Sequence, residues 1–188
     1  IHGGSGFHRS ETSIEHQHSE REMSDCKLSP ASRLCKSCGM CCDGTLFRVA
    51  NIKEKDLPLV GKHGMEVVRS DGEKLQFRLP CPQFKKCCTV YDKPKPSICG
   101  EYTCTLLNSL DKDISLLDDA VQTVRKARLL QEAVYKAYPD AETSPISFPE
   151  VAARAGALSA DSGLRKDNAQ FLMAAAAFIA HLQKNFYK

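Results

Sequence analysis

The chain has 188 residues, of which 42% are apolar and 26% charged, with a net charge of +3. This length allows one domain, or one domain with a small appendage. The small net charge argues against nucleic acid or an anionic membrane as the main partner. The longest apolar run, residues 171–180, is too short to cross a bilayer. We therefore exclude transmembrane, collagenous and wholly disordered proteins.

The chain divides into three predicted segments. Residues 1–25 are polar, hold four of the six histidines and show no periodicity, so we expect a mobile arm there. Residues 26–110 hold all the cysteines and are predicted to form a cysteine-cluster metal-binding domain. Residues 111–188 show helical periodicity and are predicted to form a helical C-terminal region.

Short elements are predicted in the first hundred residues. Alternating apolar residues indicate a strand at 45–50. Asn51 and Glu54 have capping-box spacing, which predicts a helix to about Val60. Two β-prone runs, 66–70 and 73–79, flank an Asp-Gly pair and predict a β-hairpin. Prolines then predict loop and turn over 80–105.

The remainder of the chain is predicted to be helical. Apolar residues recur three and four apart from about 115 to 138. Ser147 and Glu150 form a second capping box, with a helix to about residue 155, and a last helix is expected over 164–186. These elements predict an α+β fold, in which a small cysteine-rich, metal-held domain with a β-hairpin precedes a C-terminal cap of two to three helices.

The ten cysteines are the chemical signature of the sequence, and all lie before residue 105. Cys26 stands alone, and the other nine form two groups about forty residues apart. The first is Cys35, Cys38, Cys41 and Cys42, and the second is Cys81, Cys87, Cys88, Cys99 and Cys104. A C-x2-C knuckle turns the chain so that two sulfurs converge on one cation. Two distant groups are what a tetrathiolate site requires.

The alternative to metal binding is a disulfide-stapled extracellular domain. Closely spaced cysteines suit disulfide geometry poorly, and residues 1–10 contain no apolar run of a signal peptide. We therefore favour metal ligation in a reducing compartment and predict a cytoplasmic location.

Ligand type leaves the metal undecided between zinc, mononuclear iron and an iron–sulfur cluster. Cys35, Cys38 and Cys41 have the spacing of the first three ligands of a bacterial ferredoxin, but Thr45 occupies the place of the fourth. We therefore expect zinc or mononuclear iron ahead of a cluster.

These motifs resemble the zinc- or iron-chelating cysteine-cluster proteins known as the YkgJ-like or CxxCxxCC family. Residues 35–42 match the opening C-x2-C-G-x-C-C pattern. The later motifs match Cys81-Pro82, the C-x-x-Y run at 88–91, Lys95-Pro96 and the C-x3-(aromatic)-x-C run at 99–104. The resemblance covers about residues 33–106.

The resemblance implies eight thiolate ligands, arranged as two four-sulfur sites or one multinuclear site: Cys35, Cys38, Cys41, Cys42, Cys81, Cys88, Cys99 and Cys104. It selects Cys88 over Cys87 and leaves Cys26 as a spare thiol. The members of this family are small bacterial cytoplasmic proteins of mostly unassigned function, and the same cluster occurs in flagellin lysine methylases. The resemblance therefore implies a protein of this kind. Lys95 and Gly100 replace the family's usual arginines, and one extra residue separates Tyr91 from Cys99.

Three functions follow as hypotheses. The first is a metal-binding protein whose cysteines ligate zinc or iron. The second is an enzyme that uses iron or an iron–sulfur centre for redox or group-transfer chemistry. The third is a zinc-held interaction module with a protein partner on the C-terminal helices. Of the polar side chains nearby, Asp43 is expected to serve a turn, and Arg125, Lys126 and Arg128 to form a solvated helix face.

Overall fold

The computed structural model describes residues 28–70, 72–138 and 147–187. The predicted arm at 1–25, Cys26, and part of the predicted hairpin turn lie outside these ranges. Within them the chain is mostly helical, with 60% helix and 8% strand. None of the described helices combines the length and hydropathy that a membrane span needs.

The described elements, in chain order, are α1 Pro30–Cys38, β1 Val49–Asn51, α2 Leu57–Lys62, β2 Val67–Arg69, β3 Leu75–Arg78, β4 Phe84–Lys85, β5 Cys87–Cys88, α3 Ile98–Glu101, α4 Thr105–Lys112, α5 Leu117–Ala137, α6 Phe148–Ala160, α7 Ser162–Asp167 and α8 Ala169–Asn185. Single 3-10 turns at Glu54–Asp56 and Ile114–Leu116 lead into α2 and α5.

The predicted α+β class, with a small cysteine-rich domain and a separate helical cap, is wrong. Among the described residues, strand is confined to a three-stranded sheet of order β1-β3-β2 and the two-residue pair β4–β5. Eight α-helices are described, and three of them, α1, α3 and α4, lie where no helix was predicted. Helix α3 and the short strands β4 and β5 fall within residues 80–105, which were predicted to be loop and turn. The cysteine spacing was interpreted as a turning knuckle, but Cys35 and Cys38 instead lie in the last turn of α1.

Helix α1 has recognisable terminal signals. The Ser29 hydroxyl accepts a hydrogen bond from the Ser32 amide, and Pro30 occupies the first turn. Gly39 ends the helix with φ of 60°, and its amide donates to the carbonyl of Cys35. Positions i and i+3 of a helix share a face, so the C-x2-C spacing brings two sulfurs together without a loop.

Several local predictions are confirmed, with shifted ends. The hairpin forms as β2 and β3, which pair antiparallel with Val67 opposite Phe77. The first long helix is α5, and the capping box of α6 is present, since Ser147 and Glu150 exchange hydrogen bonds. Helix α6 continues past Gly156 to Ala160.

Other boundaries differ from the predictions. The predicted capping box of Asn51 and Glu54 is not the one observed, because Asn51 is still in β1. The capping carboxylate before α2 is that of Asp56, which accepts a hydrogen bond from the Lys53 amide. The last helix is divided at Asn168 into α7 and α8. Leu164, on α7, is exposed, whereas Phe171 and Phe178 on α8 are fully buried.

The main core is built mostly from α5, α6 and α8, but it also includes the loop that follows α1. Met40 and Leu46 from that loop are buried in the same cluster as Phe171, Phe178 and Leu182. A separate small core of four residues lies beneath the sheet: Ile52, Val60, Met65 and Phe77. The first cysteine group is thus attached directly to the helical core.

Candidate metal centre

The loop after α1 folds the first four cysteines together. The amides of Cys42 and Asp43 both donate to the carbonyl of Gly39, at 2.8 Å. This tight turn brings Cys41 and Cys42 back towards the end of α1. The four thiols of the first group therefore lie within the last turn of α1 and the tight turn that follows it.

The second cysteine group is held directly against the first. The Cys81 amide donates to the Cys42 carbonyl at 2.7 Å. The ring of Phe84 lies over Gly39, where an added Cβ would be 1.9 Å from the ring. Gly39 thus serves both as a helix terminus and as the surface on which the β4–β5 hairpin packs.

Six of the predicted ligands line one cavity of about 240 Å³: Cys35, Cys41, Cys42, Cys81, Cys88 and Cys99. The rest of its wall is mostly apolar and includes Phe47, Met65 and Phe77. Tyr91, Lys95 and Tyr102 add polar atoms to it. Thiols from both sequence groups therefore face a shared space.

A second cavity, of about 30 Å³, lies next to the first. Its thiols are Cys35, Cys38, Cys41 and Cys104, and Cys35, Cys41 and Tyr102 also line the larger cavity. Its other walls are apolar side chains of the core: Leu34, Met40, Leu46, Leu106, Leu107, Val124 and Phe186. All eight predicted ligands thus line one cavity or the other.

The structure places the two cysteines of the doublet Cys87–Cys88 differently. Cys88 lines the larger cavity, whereas Cys87, its neighbour in β5, lines neither of the two cavities. Successive residues of a strand point to opposite faces. Cys88 therefore remains the proposed ligand at this position.

Burial makes these thiols reluctant to ionise. Burial, together with the neighbouring Cys41 and Cys38, raises the pKa of Cys35 to about 12. Burial also raises the pKa of Cys38 and of Cys99 to about 12. A bound cation would reverse this preference, because it stabilises thiolate. Metal binding at these cysteines is therefore expected to release protons.

The adjacent pair Cys41 and Cys42 behaves differently. A hydrogen bond from the Cys42 thiol lowers the pKa of Cys41, and the same bond raises the pKa of Cys42. Cys41 is therefore the first thiolate to form in this pair, and it lies on the wall between the two cavities.

Arg128 is a site residue that the sequence interpretation missed. It was expected on a solvated helix face, but its guanidinium donates to the Cys38 carbonyl at 2.6 Å. It also forms an ion pair with Asp43 at 2.7 Å. The Asp43 carboxylate in turn accepts from the Thr45 amide, as its predicted turn role requires. No pattern within α5 distinguishes Arg128 from Arg125, because the contact is formed across 90 residues.

Further contacts tie the cysteine loop to the helices. Gln131 donates to the buried Thr45 hydroxyl at 2.9 Å, and the Phe148 amide donates to the Thr45 carbonyl at 2.7 Å. The Tyr187 hydroxyl donates to the Leu46 carbonyl at 2.6 Å. Helices α5 and α6 and the end of the chain therefore determine where this loop lies.

The two aromatic residues of the cysteine motifs have packing roles. Tyr102 meets Phe47 edge to face with ring centroids 5.2 Å apart. The Lys95 ammonium lies 4.9 Å from the centroid of the Tyr91 ring and donates to the Tyr91 carbonyl. Lys95 thus places one positive charge on the wall of the larger cavity, as a point charge without the bidentate fork of arginine.

The donor set fits a thiophilic metal by the chemistry of its sulfurs and not by their present spacing. Within residues 28–70, 72–138 and 147–187, no three Cys, His, Asp or Glu side chains are arranged closely enough to hold an ion. The sulfurs surround two cavities without closing on a single point. Thiolate-only donors suit zinc, iron or an iron–sulfur cluster, and the nine described cysteines carry no disulfide.

No protein-family model, no curated protein and no solved structure matches this chain. The resemblance to the YkgJ-like family therefore stays a prediction based on the motif residues.

Proposed function

We propose that this protein binds zinc or iron through thiolates from its two cysteine groups. The observation that supports this most strongly is that eight of the nine described cysteines line two adjoining cavities. Disulfide formation would require paired sulfurs at bonding distance, whereas a metal site requires several sulfurs around one space. The proposed location is cytoplasmic, where thiols stay reduced.

When bound, the metal would supply positive charge to thiols such as those of Cys35, Cys38 and Cys99, whose pKa values burial raises. The chain's own residues hold the ligands in place: Gly39 seats the hairpin, and Arg128 fixes the Cys38 backbone. Burial, and then the nearby thiols Cys81 and Cys88, raise the pKa of Cys99. Lys95, which lines the same cavity, partly offsets this rise.

Elemental analysis of protein purified without an affinity metal tests this proposal. We expect at least one zinc or iron per chain and free cysteines on denaturation in chelator. Four or five disulfides with less than one metal per chain would contradict it. The histidines of residues 1–25 are removed in a parallel sample, which excludes their contribution to the count.

The larger cavity favours a second candidate, an iron or iron–sulfur enzyme. Its thiols occupy only part of a wall that is otherwise apolar, as in sites that admit a small substrate. The visible spectrum and acid-labile sulfide of anaerobically purified protein separate the two. A brown sample with stoichiometric sulfide supports the enzyme, and a colourless zinc protein supports the first proposal. The interaction module with a partner on the C-terminal helices stays a prediction from the sequence.

A further inference from the structure

We infer that the eight thiols form two unequal metal sites of four: a closed site of Cys35, Cys38, Cys41 and Cys104, and an exchangeable site of Cys42, Cys81, Cys88 and Cys99. This inference rests on the proposed function and assigns its ligands. It chooses between the two arrangements that the motif leaves open, two four-sulfur sites or one multinuclear centre.

The division follows from which thiols line which cavity. Cys38 and Cys104 line the smaller cavity only, and Cys35 and Cys41, which line both cavities, complete a set of four there. The four remaining ligands line the larger cavity only. Four sulfurs are the number that closes a tetrahedral structural site. The sequence order obscures this division, because Cys104 joins the first group and Cys42 joins the second.

The two cavities differ about eightfold in volume. The smaller one, at about 30 Å³, has room for an ion and little else. The larger one, at about 240 Å³, extends well beyond its thiols along Met65, Phe77 and Leu79. A metal held at its sulfur-lined end would keep a face towards open space.

Access also differs between the sites. Cys104 is buried at 9% exposure, in the same apolar cluster as Met40 and Phe186, and it lines the smaller cavity. Cys99, in contrast, is an exposed residue on the short helix α3. The other six ligands are half-buried in both sets. A chelator can therefore approach the second set through Cys99, whereas Cys104 in the first set becomes accessible only when the core opens.

Each site has its own positive partner. The Arg128 guanidinium lies at the Cys38 carbonyl, held by Asp43, next to the closed set. Lys95 lines the larger cavity with Cys99. Four thiolates around one divalent ion carry net negative charge, so a nearby cation stabilises each set.

Timed chelation with thiol alkylation tests the assignment on the full chain loaded with zinc. Mass spectrometry identifies which cysteines become alkylated as zinc leaves. We expect two phases, with the second at least about tenfold slower, because buried supporting contacts retain the metal. The fast phase should label Cys42, Cys81, Cys88 and Cys99, and the slow phase the other four. Cys87 should be labelled from the start.

Variants give an independent readout of stoichiometry. Cys99→Ser should lose one of two zinc equivalents and keep the slow phase, and Cys87→Ser, the matched control in the same region, should keep both. Loss of both equivalents in Cys99→Ser overturns the inference, as does a single phase that labels all eight thiols together. Either result leaves metal binding itself standing. A full chain that retains no zinc and no iron would overturn the proposed function as well.

Discussion

Two regions of the molecule are stabilised in different ways: the thiol region, residues 30–104, and the helical region, residues 105–187. The helical region supplies most of a large apolar core, with Phe171, Phe178 and Phe186 almost fully buried. The separate core of the thiol region has four buried residues. A core of that size stabilises little by burial alone, so the attachment to the helices and, under the proposed function, a bound metal would contribute the rest.

The attachment shows that neither region is independent. The loop with Met40 and Leu46 belongs to the thiol region by sequence, yet both side chains lie in the helical core. Its backbone is also bound by Arg128 and Tyr187. The contrast therefore lies between the helical core with its bound loop and the sheet with the second cysteine group.

Metal removal should separate the two regions most strongly. In the metal-loaded protein, chelation should abolish amide protection in β2, β3 and α3, because thiolate–metal bonds would supplement a core of only four residues there. Helices α5 and α8 should keep most of their protection, since their apolar faces remain packed. Hydrogen exchange with mass spectrometry measures both. Equal protection in both regions before and after chelation would mean that metal is incidental to the fold.

Truncation in the helical core should be the next largest effect. Phe178→Ala removes a fully buried ring and should reduce the free energy of unfolding by about 3–5 kcal/mol. Because Met40 and Leu46 share this core, the variant should also release metal faster. Urea denaturation and chelator competition measure the two effects.

Leu129→Ala is the matched control for this variant, since Leu129 lies on α5 with 66% of its surface exposed. Its effect should stay within about 0.5 kcal/mol. Unchanged metal release in Phe178→Ala, despite the loss of stability, would show that the loop is insulated from the helical core.

Two glycine substitutions should change stability in opposite directions. Gly39→Ala places a Cβ in the Phe84 ring at a residue with φ of 60°, and should cost about 1–3 kcal/mol and loosen metal binding. Gly156→Ala lies inside α6 with nothing within 4 Å of the added Cβ. It should stabilise by about 0.5–1 kcal/mol. Thermal unfolding of both variants tests the pair, and a neutral Gly39→Ala would contradict the packing of the hairpin on Gly39.

Asp56 should give a smaller, pH-dependent effect in the thiol region. The Ser97 amide and hydroxyl and the Lys53 amide donate to its buried carboxylate, and these bonds, led by the Ser97 amide, lower its pKa. A lowered folded-state pKa contributes stability above the unfolded value of about 3.9, and this is lost as pH falls through the folded value.

Asp56→Asn should therefore destabilise the protein at pH 7, and its difference from the unmodified chain should shrink as the solution is acidified below about pH 4. Urea midpoints at several pH values measure it. Asp111→Asn, exposed on α4, should change little at any pH. A difference for Asp56→Asn that is independent of pH would assign the effect to shape and not to charge.

Sequence alone determined the elements whose signals are local. The periodicity of α5, the capping box at Ser147 and the hairpin of β2 and β3 depend on residues within a few positions of each other. The eight candidate ligands were named from the resemblance of their motifs to a known family. The spacing by itself indicated only that C-x2-C positions share a surface, which holds both in a knuckle and in a helix. Helix α1 was missed for the same reason, since the spacing fits both conformations.

Only the tertiary structure decided how these parts combine. The Arg128 contact with Cys38, the packing of Phe84 on Gly39 and the joining of Met40 to the helical core are formed between distant segments. The placement of Cys104 with Cys35 and Cys38, away from Cys99, is of the same kind. Local pattern carries no information on such contacts, because their free energy comes from surfaces that meet only after the chain has folded.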